Sequence, residues 1–197
     1  MGLSVVVIAA VAVPPAIPLY RQYVAIREIE RLDGWIGARE GGPKWLRDWI
    51  GDEPMKAFDR VQAVRLGGTK IDDEGLSRLA ALGSLKWLSL DKTGVTDKGL
   101  VHLMALEHLE TLKLDQTRIT DAGLVQLAGL RRLRLLYLAQ TQVTERGIAA
   151  LKHALPELQV ETSADRPHDA RPEGQKNQPQ ADTEKHETTK DAEILPR

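Results

Sequence analysis

Apolar and small residues return in phase every 24 positions through the middle of the chain. Thr69, Thr93, Thr117 and Thr141 are spaced in this way, as are Gly75, Gly99, Gly123 and Gly147. Ile71, Val95, Ile119 and Val143 keep the same period, with Leu76, Leu100, Leu124 and Ile148, and Leu79, Leu103, Leu127 and Leu151. Ahead of each Thr stands an alternating pair: Val64/Leu66, Leu88/Leu90, Leu112/Leu114 and Leu136/Leu138. Period-two alternation puts both members of a pair on one face of a short strand. Leucines at three-residue spacing then predict a helical or 3-10 return segment with one buried edge. Thr96-Asp97 and Thr120-Asp121 supply a capping oxygen and an acid at the start of that segment. One such unit has no core of its own. Stacking the units buries leucine on leucine and pairs each strand with the next in parallel.

The flanks follow other patterns. Residues 1–20 carry no charged side chain, and Leu3–Leu19 is apolar throughout apart from Ser4. As a helix this run would span roughly 27 Å, near the hydrocarbon thickness of a bilayer. Pro14, Pro15 and Pro18 interrupt it, and no Lys or Arg precedes Arg21. A membrane anchor, a cleaved signal and a soluble apolar arm all stay open, with the anchor preferred. Leu19, Tyr23, Ile26 and Ile29 predict an amphipathic helix over 19–33, with Gly34 as its stop. Gly41-Gly42-Pro43 then breaks the chain, and Pro43 begins a short helix with Trp45, Leu46, Trp49 and Ile50 on one face. With Phe58, that face is expected to cover the open leucine edge of the first repeat, making 35–60 the N-terminal cap. At the far end Val160 keeps the register of Leu112 and Leu136, as a closing strand should. Beyond it, 162–197 holds eight acids, six bases and almost no large apolar residue, so it is expected to be disordered. The expected organisation is therefore 1–20 anchor or signal, 21–60 helical linker and cap, 61–161 repeats, and 162–197 tail.

The repeating unit, Leu85-x-x-Leu88-x-Leu90-x-x-Thr93-x-Val95-Thr96-Asp97-x-Gly99-Leu100-x-x-Leu103, resembles a leucine-rich repeat. It is most similar to the cysteine-containing subtype of F-box adaptors and many bacterial surface proteins, with Thr where that subtype has Asn or Cys. The resemblance covers about 61–161, and the flanks are similar to those of membrane-anchored bacterial leucine-rich-repeat proteins. It implies an α/β solenoid: short parallel strands on a concave face, helical or 3-10 return segments behind, an apolar N-terminal helix and a disordered C-terminal tail. The Thr column is expected to satisfy buried backbone groups as an Asn ladder does, with less reach.

Composition removes several functions and supplies none. With 27 basic and 28 acidic side chains, the chain lacks the basic excess of a nucleic-acid binder. The absence of Cys excludes disulfides, thiolate metal sites and cysteine nucleophiles. His102 and His108 do not have metal-ligand spacing. Asp72, Asp73, Asp97 and Asp121 recur with the repeat and read as turn and cap residues. Gly67-Gly68 is too short for a phosphate loop. No catalytic residue, metal, cofactor or small-molecule substrate is inferred, and the chain reads as no enzyme.

What remains is the concave sheet. Residues alternating with the buried leucines form three columns: Ala63, Trp87, Thr111, Leu135, Gln159; then Arg65, Ser89, Lys113, Tyr137, Glu161; then Gly67, Asp91, Asp115, Ala139. Trp87, Leu135 and Tyr137, beside Lys113, Asp91 and Asp115, make the candidate partner-binding surface. Two classes of function fit: a membrane-tethered module that binds a protein partner on this sheet, or a structural or regulatory fragment of a larger envelope assembly with no ligand of its own.

Overall fold

The structure, a computed structural model, describes residues 16–162. The expectations for 163–197, and for the apolar segment up to residue 15, lie outside the described residues. The remainder of that segment, Ala16–Tyr20, opens an amphipathic helix, α1 (Ala16–Arg31). Among the described residues no helix is long and apolar enough to cross a membrane.

After α1 come β1 (Trp35–Arg39), α2 (Lys44–Ile50), α3 (Asp52–Met55), a 3-10 turn (Lys56–Phe58) and β2 (Arg60–Arg65). The coils follow: α4 (Asp73–Leu79), β3 (Trp87–Ser89), α5 (Asp97–Leu100) with a 3-10 turn (Val101–Ala105), β4 (Thr111–Lys113), α6 (Asp121–Leu127), β5 (Leu135–Tyr137), α7 (Glu145–Ala154) and β6 (Gln159–Glu161). The six strands form one sheet in sequence order. β2 to β6 are parallel and in register, so Val64, Leu88, Leu112, Leu136 and Val160 form one continuous column. Those leucines, with Leu76, Leu100, Leu124 and their neighbours, are buried in a single cluster behind the sheet.

The period is enforced by a contact that the residues alone did not reveal. Asp97 opens α5, and its carboxylate reaches into the next coil. There Oδ1 accepts from the Thr120 N–H at 2.8 Å and Oδ2 from the Thr120 hydroxyl at 2.6 Å. Asp73 grips Thr96, and Asp121 grips Thr144, at the same distances. Each gripped hydroxyl also accepts from its own helix, at the N–H of Lys98, Ala122 or Gly147. A hydroxyl can donate to the acid and accept from the helix at once, which a carboxylate cannot do. The first coil has no preceding acid, and there Asp72 takes the Thr position and caps Gly75. The glycine column answers the same contact: a Cβ at Gly99, Gly123 or Gly147 would lie 2.4, 2.2 or 2.1 Å from the gripping Oδ1. Asp97 and Asp121 are thus more than cap residues.

The Thr69/93/117/141 column satisfies backbone groups as expected, but each Thr does so within its own coil. Each hydroxyl donates to the carbonyl three residues earlier in its own coil, at 2.8, 2.6, 2.6 and 2.8 Å. It closes a turn and does not link coils. The preceding residue is left-handed in every coil: Gly68 (φ +74°), then Lys92 (+56°), Gln116 (+56°) and Gln140 (+55°). Only the first coil uses glycine there, so the other three carry backbone strain that the turn must hold.

The N-terminal end departs from the sequence reading in three ways. First, β1 adds an antiparallel strand to the sheet, pairing Trp35 with Arg65 and Ile36 with Val64. Second, the first coil is covered by α1, whose Ala25, Ile26 and Ile29 are buried in the core cluster. Trp45 and Trp49 are not the cap: α2 buries no residue, and both indoles face outward. Third, α1 ends on Asp33 at φ +55°, not on Gly34. The Asp33 and Gly34 N–H groups donate back to the carbonyls of Glu30 and Ile29, the Schellman arrangement. Glu28, buried on α1, accepts from both Arg31 and Arg78 and so ties the cap helix to α4.

A double-mutant cycle checks the grip. Asp97→Ala should cost about 1–2 kcal/mol, because it orphans two donors in a partly buried site. Gly123→Ala should cost about 1–3 kcal/mol through its clash with Asp97. In the Asp97→Ala background the same change should be near neutral, giving a coupling above about 0.5 kcal/mol by denaturant unfolding. Additive losses would mean that glycine and acid are independent.

Acid titration offers a second check. The Thr144 hydroxyl, then its N–H, hold the Asp121 carboxyl below the usual aspartate range. The Arg31 hydrogen bond, with help from Arg78, does the same for Glu28. A depressed folded pKa contributes stability that is fully present above the unfolded carboxylate value and is lost as pH falls through the folded one. The melting temperature should therefore fall as pH drops below about 4, and by less in the Asp121→Asn/Glu28→Gln double variant than in the parent.

Candidate functional site

Strand alternation turns the residues beside the core leucines onto the opposite sheet face. The register confirms the first two columns: Ala63, Trp87, Thr111, Leu135 and Gln159 are successive partners, as are Arg65, Ser89, Lys113, Tyr137 and Glu161. Lys113 is the centre of the arrangement. Its ammonium lies 4.9 Å from the centroid of the Tyr137 ring and 5.9 Å from that of Trp87. A cation held between two π-faces is attracted to both. Its stem packs among the neighbouring side chains, leaving the residue 6% exposed. One strand pair away, Arg65 sits 5.8 Å from the centroid of Trp35, its register partner on β1. Aromatic and cationic side chains therefore recur along one face from β1 to β5. Arg65 was placed on this face by its column, but Trp35 was missed in the sequence because β1 shows no alternation.

The third column is less exposed than expected for a solvated rim. Asp91 and Asp115 are 8% and 9% exposed, while Trp87, Leu135 and Tyr137 are half-buried. Side chains on strands about 4.8 Å apart shield one another, and long ones cover short ones. Asp115 also does structural work, accepting from the Ala139 N–H at 2.6 Å. Asp91 accepts from the Ser89 hydroxyl at 2.9 Å through Oδ2, while its buried Oδ1 has no hydrogen-bond partner among the described residues. Ser89 is a further member of the site, and only its column position pointed to it. The six residues singled out from the sequence thus share one face, three as half-buried apolar or aromatic groups and three as buried charges.

Among the described residues no group of three or more His, Asp or Glu side chains is placed to hold a metal ion. His102 is half-buried and His108 exposed, six residues apart on the return segment of one coil.

The family model described as Leucine Rich repeat matches residues 61–80 and 105–128. No curated protein matches the chain. Among solved structures, the chain is similar to internalin C2 of Listeria monocytogenes, at 26% identity over 43% of this chain and 34% of that one, with a TM-score of 0.37. It is also similar to the internalin inlF of the same organism, at 23% identity over 54% and 36%, TM-score 0.37. A Leptospira interrogans LRR protein is 20% identical over 51% and 25%, TM-score 0.41. The chain spans between 25% and 36% of the length of these structures.

Asp91 supplies a test of the site's energetics. A buried polar oxygen left without a hydrogen-bond partner is expensive for the fold. Asp91→Asn should leave unfolding stability unchanged or raise it by up to about 2 kcal/mol. A loss of more than about 1 kcal/mol in chemical denaturation would show that the charge is structural.

Proposed function

We propose that this leucine-rich-repeat protein is a non-enzymatic interaction module that is tethered to a membrane through its N-terminal segment and binds a protein partner on the sheet face opposite its helices. The observation that carries the reading is Lys113 stacked between Trp87 and Tyr137. Aromatic groups beside a desolvated cation are what protein interfaces use as anchors. The orphaned oxygen of Asp91 favours the same face, since a buried polar atom without a partner is tolerated where function requires it. The face is about 20 Å wide across its parallel strands, which suits a small or transient interface. The tether rests on the 20 uncharged residues at the start of the chain.

A pull-down with the full chain tests both parts. Trp87→Ala and Tyr137→Ala should each cost about 1–3 kcal/mol of partner affinity, with the circular dichroism spectrum retained. If affinity survives both changes and is lost on substituting Val125 or Met104 on the helical side, recognition runs through the other surface. The full chain should sediment with membranes, and a chain starting at Ala16 should not.

A further inference from the structure

Among the described residues, five of the eight exposed large apolar side chains precede the repeats: Ile17, Tyr20, Trp45, Trp49 and Phe58. They belong to neither the core nor the sheet face. Trp45 and Trp49 are the most conspicuous, 69% and 78% exposed. Four residues apart on α2, they share a side of that helix, while Leu46 and Ile50 on the adjoining side are half-buried.

The indoles are held outward by a built framework. Arg47, between them in sequence, is largely buried and donates to Asp59 Oδ1 at 2.5 Å, to the Gly41 carbonyl at 3.3 Å and to Asp52 Oδ1 at 3.2 Å. The Gly41 N–H donates to the same Asp59 oxygen at 3.0 Å. Gln22 of α1 reaches that point from the other side, donating to the Ala57 and Asp59 carbonyls. The helix that carries the two Trp residues and the first turns of α1, with Ile17 and Tyr20, are therefore fastened to one knot around Asp59.

We propose that this end of the molecule lies on a lipid bilayer, with Trp45 and Trp49 seated at the headgroup level. The inference rests on the membrane tether proposed above, and it adds a second contact that orients the repeats. Three observations favour lipid as the occupant. The uncharged run of residues 1–20 ends within the first turns of α1, so a bilayer that held it would meet the chain near Tyr20 and Arg21. Indole rings, apolar with one N–H donor, prefer that boundary. The two indoles offer roughly 300 Å² of apolar surface, far less than the ~800 Å² per partner of a stable protein interface. Residues 21–60 contain eight basic and eight acidic side chains, so the contact needs no anionic lipid.

The test uses the full chain and phosphatidylcholine vesicles, with and without bromine on the acyl chains. The chain should cosediment with the vesicles, and brominated lipid should quench most of its Trp emission. Quenching should largely vanish in Trp45→Phe/Trp49→Phe, where only Trp35 and Trp87 still emit. Trp45→Ala/Trp49→Ala, its fold checked by circular dichroism, should lower vesicle partition by about tenfold, and added salt should change partition little. Cosedimentation without quenching would leave the tether standing and overturn the Trp contact; if the Ala variant then also lost self-association in ultracentrifugation, the occupant would be a second copy of this chain. Failure of the full chain to cosediment would overturn both.

Discussion

At the start of three successive return helices, a carboxylate from one coil grips the next. Burial of the leucine columns supplies the driving force, at about 2 kcal/mol for each fully buried side chain. Apolar contact is non-directional, however, and does not choose a register. The Asp73–Thr96, Asp97–Thr120 and Asp121–Thr144 contacts do, because each acid must meet a backbone N–H and a hydroxyl together. Three columns then follow from one. The partner must carry a hydroxyl to donate and accept at once, as Thr does, the residue three beyond it must be Gly to admit the acid, and the repeat length cannot vary. The ends obey the same logic. Asp72 replaces Thr where no acid precedes, and Glu145 replaces Asp at the far end of the array.

On the opposite edge of each coil the chain passes through a left-handed residue and is closed by a Thr hydroxyl. The strand between these two fixed points is only three residues long, and its side chains have no freedom of register. Trp87, Lys113 and Tyr137 are therefore brought together by geometry set elsewhere. A face assembled in this way is pre-organised, which would lower the ordering cost of the binding proposed for it.

The leucine columns, the parallel strands and the composition of the sheet face were legible in the sequence, because periods of two and 24 leave little choice of side. The links between coils were not. Asp97 and Thr120 are 23 residues apart, and only the stacked geometry shows that the cap acid of one coil belongs to the Thr of the next. The capping helix was misread for a related reason. The periodicity of Trp45, Leu46, Trp49 and Ile50 establishes an apolar side but not what it faces, and α1 already covers the first coil with Ala25, Ile26 and Ile29. β1 was invisible because Trp35-Ile36-Gly37-Ala38-Arg39 does not alternate; its pairing with β2 makes it a strand. The charged members of the sheet face were placed correctly, but their burial depends on neighbours that sequence spacing does not weigh.

Native-state hydrogen exchange at the Thr96, Thr120 and Thr144 amides tests the central claim most directly. These N–H groups lie near the surface, outside the named strands, and their partner in each case is an acid from the preceding coil. If the carboxylates fasten the coils, these amides should exchange as slowly as those of Leu90 and Leu114, which donate to the neighbouring coil within the core. Exchange at the rate of an unstructured peptide, with Leu90 and Leu114 still protected, would show that leucine packing and the strand ladder set the register without the carboxylates.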